Sequence, residues 1–235
     1  MTYLILIRRP FRFVIVTVLA VVALGLGGGR YLAVGSQDTG AIRHGNPNRP
    51  EVALMVNVDW GEEYLPAMLD VFDSKNVKAT FFIVGRWARK NPDLLRQIAA
   101  RGHEIASHGD QHKLATKLSD AELEQLISDG VSTLKDITGN QPAPLFAPPS
   151  GDADRRVVEA ASKHGLKTIL WTLDTVDWKK PSSAVIVRRA VERASAGALI
   201  LMHPTKPTLD ALPEIIDGLR RKSLEPVTVS QVMQP

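Results

Sequence analysis

Short apolar runs alternate with stretches of helical period along most of this 235-residue chain. The apolar runs cover residues 52–58, 79–84, 103–107, 144–147, 168–173, 198–202 and 226–229, and each is of strand length. Between them, residues 64–72, 92–100, 120–137, 155–163, 184–194 and 209–221 place apolar side chains three and four apart, the spacing of one helix face. Strand and helix in strict alternation predict an α/β fold, with parallel strands and helices packed outside them. No Gly-x-Gly-x-x-Gly follows the first strand, so the nucleotide-binding form of an open sheet lacks its phosphate cradle. The expectation is a deformed (β/α) barrel of about seven parallel strands.

The N-terminal region breaks this pattern. Arg8, Arg9 and Arg12 precede residues 13–29, which hold no charge and are mostly Val, Leu, Ala and Gly. A basic flank before an apolar run predicts a signal peptide or signal anchor over 1–30, with the N-terminus cytoplasmic and the remainder extracytoplasmic, membrane-anchored or secreted. Residues 31–50 are rich in Gly, Asn, Pro and Ser and read as a linker, which leaves 51–235 as a single domain.

The formal charge of +4 changes meaning once it is divided along the chain. The first 50 residues carry six Arg and one Asp, whereas residues 51–235 carry 23 basic and 24 acidic groups. The domain is close to neutral and lacks the basic stripe of a nucleic-acid binder. Cysteine is absent, so any metal must be held by His, Asp, Glu or water.

In a parallel barrel the C-terminal ends of the strands converge on one pole. Polar and aromatic residues recur there: Asn57, Asp59 and Trp60 after the first strand, His108 and His112 after the third, and Pro148, Pro149 and Ser150 after the fourth. Asp174, Asp177 and Trp178 follow the fifth, and His203 the sixth. At a spacing of four, His108 and His112 lie on one face of a helical turn, close enough to share a metal if a carboxylate or water completes the shell. Asp110 reads as a solvated loop residue, and Asp174 serves equally as a turn acceptor.

With these segments in order, the chain resembles the polysaccharide deacetylases with a NodB homology domain, carbohydrate esterase family four, in a divergent, sporulation-linked-like branch. The resemblance rests on Lys78-Ala-Thr-Phe-Phe-Ile-Val-Gly85, on Gly102-His-Glu-Ile-Ala-Ser-His108 running into His112, and on Leu145-Phe-Ala-Pro-Pro-Ser-Gly151. It continues through Leu170-Trp-Thr-Leu-Asp-Thr-Val-Asp-Trp178 and Leu199-Ile-Leu-Met-His203. It implies a metal-dependent hydrolase removing N-acetyl groups from a cell-surface polysaccharide such as peptidoglycan or a chitin-like glycan. His108 and His112 match the family's metal-binding histidines, Asp177 the acid supporting the catalytic acid, Trp178 its groove-wall neighbour and His203 the acid itself.

Two motifs depart from the family pattern. The family's Thr-Phe-Asp-Asp-Gly supplies a base and a metal ligand. Aligned from Val52-Ala53-Leu54 those positions are Asn57 and Val58, and aligned on Gly61 they are Asp59 and Trp60. In both cases at least one carboxylate is missing. In the third motif the usual Arg, which pairs with the base, is Ala147, and the usual Tyr is Ser150.

The expected chemistry is amide hydrolysis at a divalent cation, zinc or another borderline ion, held by His108 and His112. Asp59 serves as third ligand or base, His203 as general acid beside Asp177, and Trp60, Pro149, Ser150 and Trp178 line the substrate groove. Two other classes stay open: a catalytically impaired glycan-binding or cell-wall scaffold protein, and another metal hydrolase on the same barrel.

Overall fold

The computed structural model describes residues 39–235, so the signal or anchor segment expected over 1–30 lies outside the described residues. Among the described residues no helix is long and apolar enough to cross a membrane.

β1 (Glu51–Val58) is the centre of the sheet, and the alternation of its side chains builds two cores. Val52, Leu54, Val56 and Val58 face outward into the layer between sheet and helices, whereas Ala53 and Met55 face inward. By the same period of two, Asn57 also points inward. The inner core is built from Phe82, Ala106, Leu145, Ala147, Ile169 and Leu199 around that inward face. The outer layer is filled by Leu65, Met68, Leu69 and Phe72 of α1 (Leu65–Ser74) and by the buried faces of the helices that follow.

In chain order the remaining elements are β2 (Thr80–Ile83), α2 (Gly85–Lys90), α3 (Pro92–Ala100), β3 (Glu104–Ser107), α4 (Asp120–Thr138), β4 (Leu145–Phe146), α5 (Arg155–Lys163), β5 (Lys167–Thr168), β6 (Leu173–Asp174), α6 (Ser183–Val191), β7 (Leu199–Met202), α7 (Lys206–Arg221), β8 (Glu225–Val227) and α8 (Val229–Val232). Every strand pair is parallel, in the order β5-β4-β3-β2-β1-β7-β6, with β8 on the first residues of β1. This is a parallel half-barrel wrapped by helices. The apolar run at 168–173 is not one strand: it leaves β5 at one end of the path and enters β6 at the other.

Part of the segment expected as a linker pairs with the sheet. Ile42 bridges Ile169, just past β5 at one end of the path, and His44 bridges Ala198, just before β7, the next-to-last strand at the other. Backbone bonds run from Ile42 N–H to the Thr168 carbonyl and from Leu170 N–H to the Ile42 carbonyl, both at 2.8 Å. Gly45 N–H donates to the Gly197 carbonyl at 2.7 Å.

Candidate active site

Residues from several strand ends line one cavity of about 370 Å³: Asn57, Asp59 and Trp60 after β1, His108 and His112 after β3, and Ser150 after β4. Trp171, Asp174, Trp178, Leu201 and His203 complete the wall. Pro149 is buried and lies outside this lining, and Asp177 is buried behind it.

β1 ends in a bend at Asp59-Trp60, and Gly61 follows with φ +83°. A side chain at Gly61 would meet the Pro204 carbonyl oxygen at 2.1 Å, so the β1 and β7 loops touch backbone to backbone. That contact brings Trp60 onto His203, with parallel rings whose centroids are 5.9 Å apart.

His203 is fixed from behind. Its Nδ1 bonds the Asp177 Oδ1 at 2.8 Å, and its backbone N–H donates to Oδ2 at 2.6 Å. The Thr208 hydroxyl, at the start of α7, donates to the same Oδ2 at 2.6 Å. Asp177 is fully buried, and these donors satisfy it. With Nδ1 held by the carboxylate, Nε2 is the nitrogen left for a proton in the cavity. The turn carrying Asp177 and Trp178 is bracketed by left-handed residues, Val176 at φ 51° and Lys180 at φ 52°. For a β-branched residue such as Val176 that backbone is strained. Asp174 accepts from Val176 N–H at 2.7 Å, the turn role open to it from sequence.

The segment from His108 to His112 is irregular rather than helical, because Gly109 takes φ +77° and packs against Leu126 of α4. The two imidazoles meet all the same, edge to face, with centroids 5.3 Å apart. His108 is buried and its Nδ1 donates to the Ala147 carbonyl at 2.6 Å, which leaves Nε2 unprotonated. Burial pushes its pKa down to about 3, so the ring is neutral at working pH. Asn57 Nδ2 stands 3.5 Å from His108 Nε2, while Asn57 Oδ1 is buried and makes no hydrogen bond.

Asp59 lines the cavity, yet its oxygens are engaged elsewhere. Arg86 Nε donates to Oδ1 at 2.9 Å, and Arg86 Nη2 contacts Oδ2. One helical turn on, Arg89 Nη1 and Nη2 grip Asp110 at 2.5 and 2.9 Å. Asp110 is therefore not the solvated loop residue read from sequence. It is nearly buried, and the Arg89 guanidinium holds its carboxyl below the usual carboxylate range.

A metal would find the neutral Nε2 of His108, which now faces Asn57 Nδ2, and the adjacent His112, and turning the Asn57 amide over would bring its unpartnered oxygen to the same nitrogen. This donor set fits a divalent cation through neutral ligands. Among the described residues no three His, Cys, Asp or Glu groups stand together as a metal cage, and Asp59 in this arrangement does not make the third.

Arg86 and Trp171 escaped the sequence reading. Arg86 directly follows Gly85 after β2, a strand end with no chemical motif of its own, and Trp171 lies inside the apolar run 168–173, which reads as a single strand.

The polysaccharide deacetylase family model matches residues 44–169. The chain belongs to the polysaccharide deacetylase family. Among curated relatives, the uncharacterized protein YlxY of Bacillus subtilis is 38% identical over 82% of this chain, which spans 60% of that protein. A peptidoglycan-N-acetylglucosamine deacetylase of Bacillus cereus is 32% identical over 84% of this chain and 95% of its own length. Among solved structures, a CE4 family pseudoenzyme from Bacillus anthracis superposes with a TM-score of 0.81 at 34% identity, covering 83% of this chain and 69% of that one. A mutant of that pseudoenzyme, described as having restored enzymatic activity, superposes with the same TM-score at 32% identity, covering 83% of this chain and 71% of its own.

Proposed function

We propose that this protein is a metal-assisted N-deacetylase of an extracytoplasmic glycan, with peptidoglycan the favoured polymer. The observation that carries this reading is His203 held on the buried Asp177 in a cavity that also contains His108 and His112. A divalent ion, zinc for preference, held by His108, His112 and the Asn57 amide oxygen, would supply Lewis-acid polarisation of a bound amide and its attacking water. Of the two carboxylates that line the cavity, Asp174 is engaged in its own turn, and Asp59 is the one assigned to accept the proton of that water. His203 hands a proton from Nε2 to the departing amine, with Asp177 stabilising the imidazolium. Trp60, Trp171 and Trp178 give the flat apolar faces on which sugar rings stack. The basic and apolar N-terminal sequence supports placing the domain outside the cytoplasmic membrane, tethered or secreted.

A second reading is a glycan-binding protein without turnover. It is favoured by the single carboxylate after β1 and by the structural likeness to a pseudoenzyme. One experiment separates the two. The full chain is incubated with N-acetylated oligosaccharides and peptidoglycan fragments in the presence of zinc or cobalt, and released acetate is measured. Release that His203→Ala abolishes supports the deacetylase. Saturable glycan binding that needs Trp60 and Trp178, with no acetate under any metal, supports the binding protein.

A further inference from the structure

α2 places two arginines, Arg86 and Arg89, one helical turn apart above the two loops that build the cavity. Arg89 holds Asp110, inside the segment between His108 and His112. Arg86 holds Asp59 on the β1 loop through Nε and Nη2, one nitrogen to each carboxylate oxygen. Arg86 is itself anchored, since its backbone N–H donates to the Asp110 carbonyl at 2.9 Å and the neighbouring Gly85 N–H to the Gly109 carbonyl at 2.9 Å. The guanidinium is therefore built out from the histidine loop and turned onto the acid of the other loop.

A carboxylate gripped at both oxygens by a planar guanidinium is fixed in plane and direction. A cation on His108 and His112 would have to share that carboxylate with a second positive charge, and in a half-enclosed cavity the two cations repel. Asn57 Oδ1, two residues earlier on the inward face of β1, is the acceptor that nothing occupies.

We propose that Arg86 is a positioning residue that keeps Asp59 out of the coordination shell of a cation on His108 and His112, and so reserves it as a proton acceptor. The proton-acceptor half rests on the deacetylase reading above. The coordination half does not.

The test is a calorimetric titration of the full chain with zinc and with cobalt, for wild type, Arg86→Ala, Arg86→Lys, Asp59→Ala and the Arg86→Ala/Asp59→Ala double variant. Arg86→Ala frees Asp59 to join the histidines and tightens cation binding by about tenfold or more, the scale of one added charged ligand. Asp59→Ala and the double variant bind cation as wild type does. Arg86→Lys, which retains a positive charge beside Asp59, also stays near wild type. The proposal is overturned if Asp59→Ala alone weakens cation binding by about tenfold, or if Arg86→Ala leaves the affinity unchanged or finds no cation bound. Where Arg86→Ala does not fold, Arg86→Gln, which removes the charge and keeps much of the side chain's bulk, is titrated in its place: binding about tenfold tighter supports the proposal, and unchanged affinity overturns it. Acetate release is followed in parallel and falls in both Arg86→Ala and Asp59→Ala. Absence of acetate in every sample would sink the deacetylase reading while leaving the cation result intact.

Discussion

The indole of Trp60 is stacked on the imidazole of His203, the two ring planes 6° from parallel. An exposed aromatic face thus covers one side of the ring proposed to deliver the proton, and the sugar that stacks on Trp60 is brought beside that ring. Trp60→Ala is expected to weaken glycan binding by roughly 2- to 10-fold, the scale of a lost aromatic stack, with Trp60→Phe retaining most of it. Equilibrium binding of an N-acetylated oligosaccharide checks this, and an affinity unchanged in Trp60→Ala would remove Trp60 from the groove.

Asp177 combines two tasks that substitution can separate. Asp177→Ala leaves the His203 backbone N–H and its Nδ1 without their acceptor, at a cost of about 1–3 kcal/mol for each, and leaves the Thr208 hydroxyl with Thr205 Oγ1 as its remaining partner. His203→Gln keeps the carboxylate and its Thr208 bond. Chemical unfolding should therefore show a large stability loss for the first and a small one for the second, while deacetylation falls by about 100- to 10,000-fold in both. Equal stability losses would mean that His203, too, is chiefly structural.

Asn57 stands where a carboxylate would add charge beside His108. Asn57→Asp should tighten zinc or cobalt binding by about tenfold or more, and Asn57→Leu should weaken it, both read by calorimetry. If neither changes the affinity, Asn57 is no ligand and its buried oxygen serves another purpose.

His103 makes the fold sensitive to acid at a distance from the cavity. It is packed edge-on against Phe72 and Phe81, its Nδ1 accepts from Ala79 N–H at 3.2 Å, and its Nε2 makes no hydrogen bond. Burial pushes its pKa from 6.5 down to about 4. The unfolded chain then takes up the proton first, so this contribution is whole above pH 6.5 and is lost as pH falls from 6.5 to about 4. The loss amounts to about 3 kcal/mol over that window. Urea unfolding between pH 7.5 and 4.5 should give His103→Leu a shallower pH slope than wild type, although it is less stable at neutral pH. Identical slopes would place the acid sensitivity elsewhere.

Much of this was legible in the residues themselves. Helices at 92–100, 120–138 and 155–163 emerge with nearly the predicted bounds, because Pro92 opens one and Ser119 and Asp154 cap the others. His203 and Asp177 are each legible just past an apolar run, and the family resemblance pairs them. Hidden from the sequence were features that depend on partners distant in the chain. Helical spacing suggested the meeting of His108 and His112, but a left-handed Gly109 delivers it. Nothing at Arg86 or Arg89 in the sequence announces Asp59 or Asp110, because a salt bridge leaves no period. The seam closed by Ile42 and His44 was read as linker, since two isolated bridges are too short to show alternation.

That seam sets where the chain tolerates being cut. A protein trimmed at Glu51 would lose residues 42–46 and leave the Thr168, Gly197 and Val232 carbonyls and the Leu170 N–H facing water, all four now bonded to the removed segment. The β5 end of the strand path would then be a bare edge, open to strands of neighbouring molecules. Such a fragment is expected to self-associate, and proteolysis at the seam to begin aggregation rather than release a clean domain.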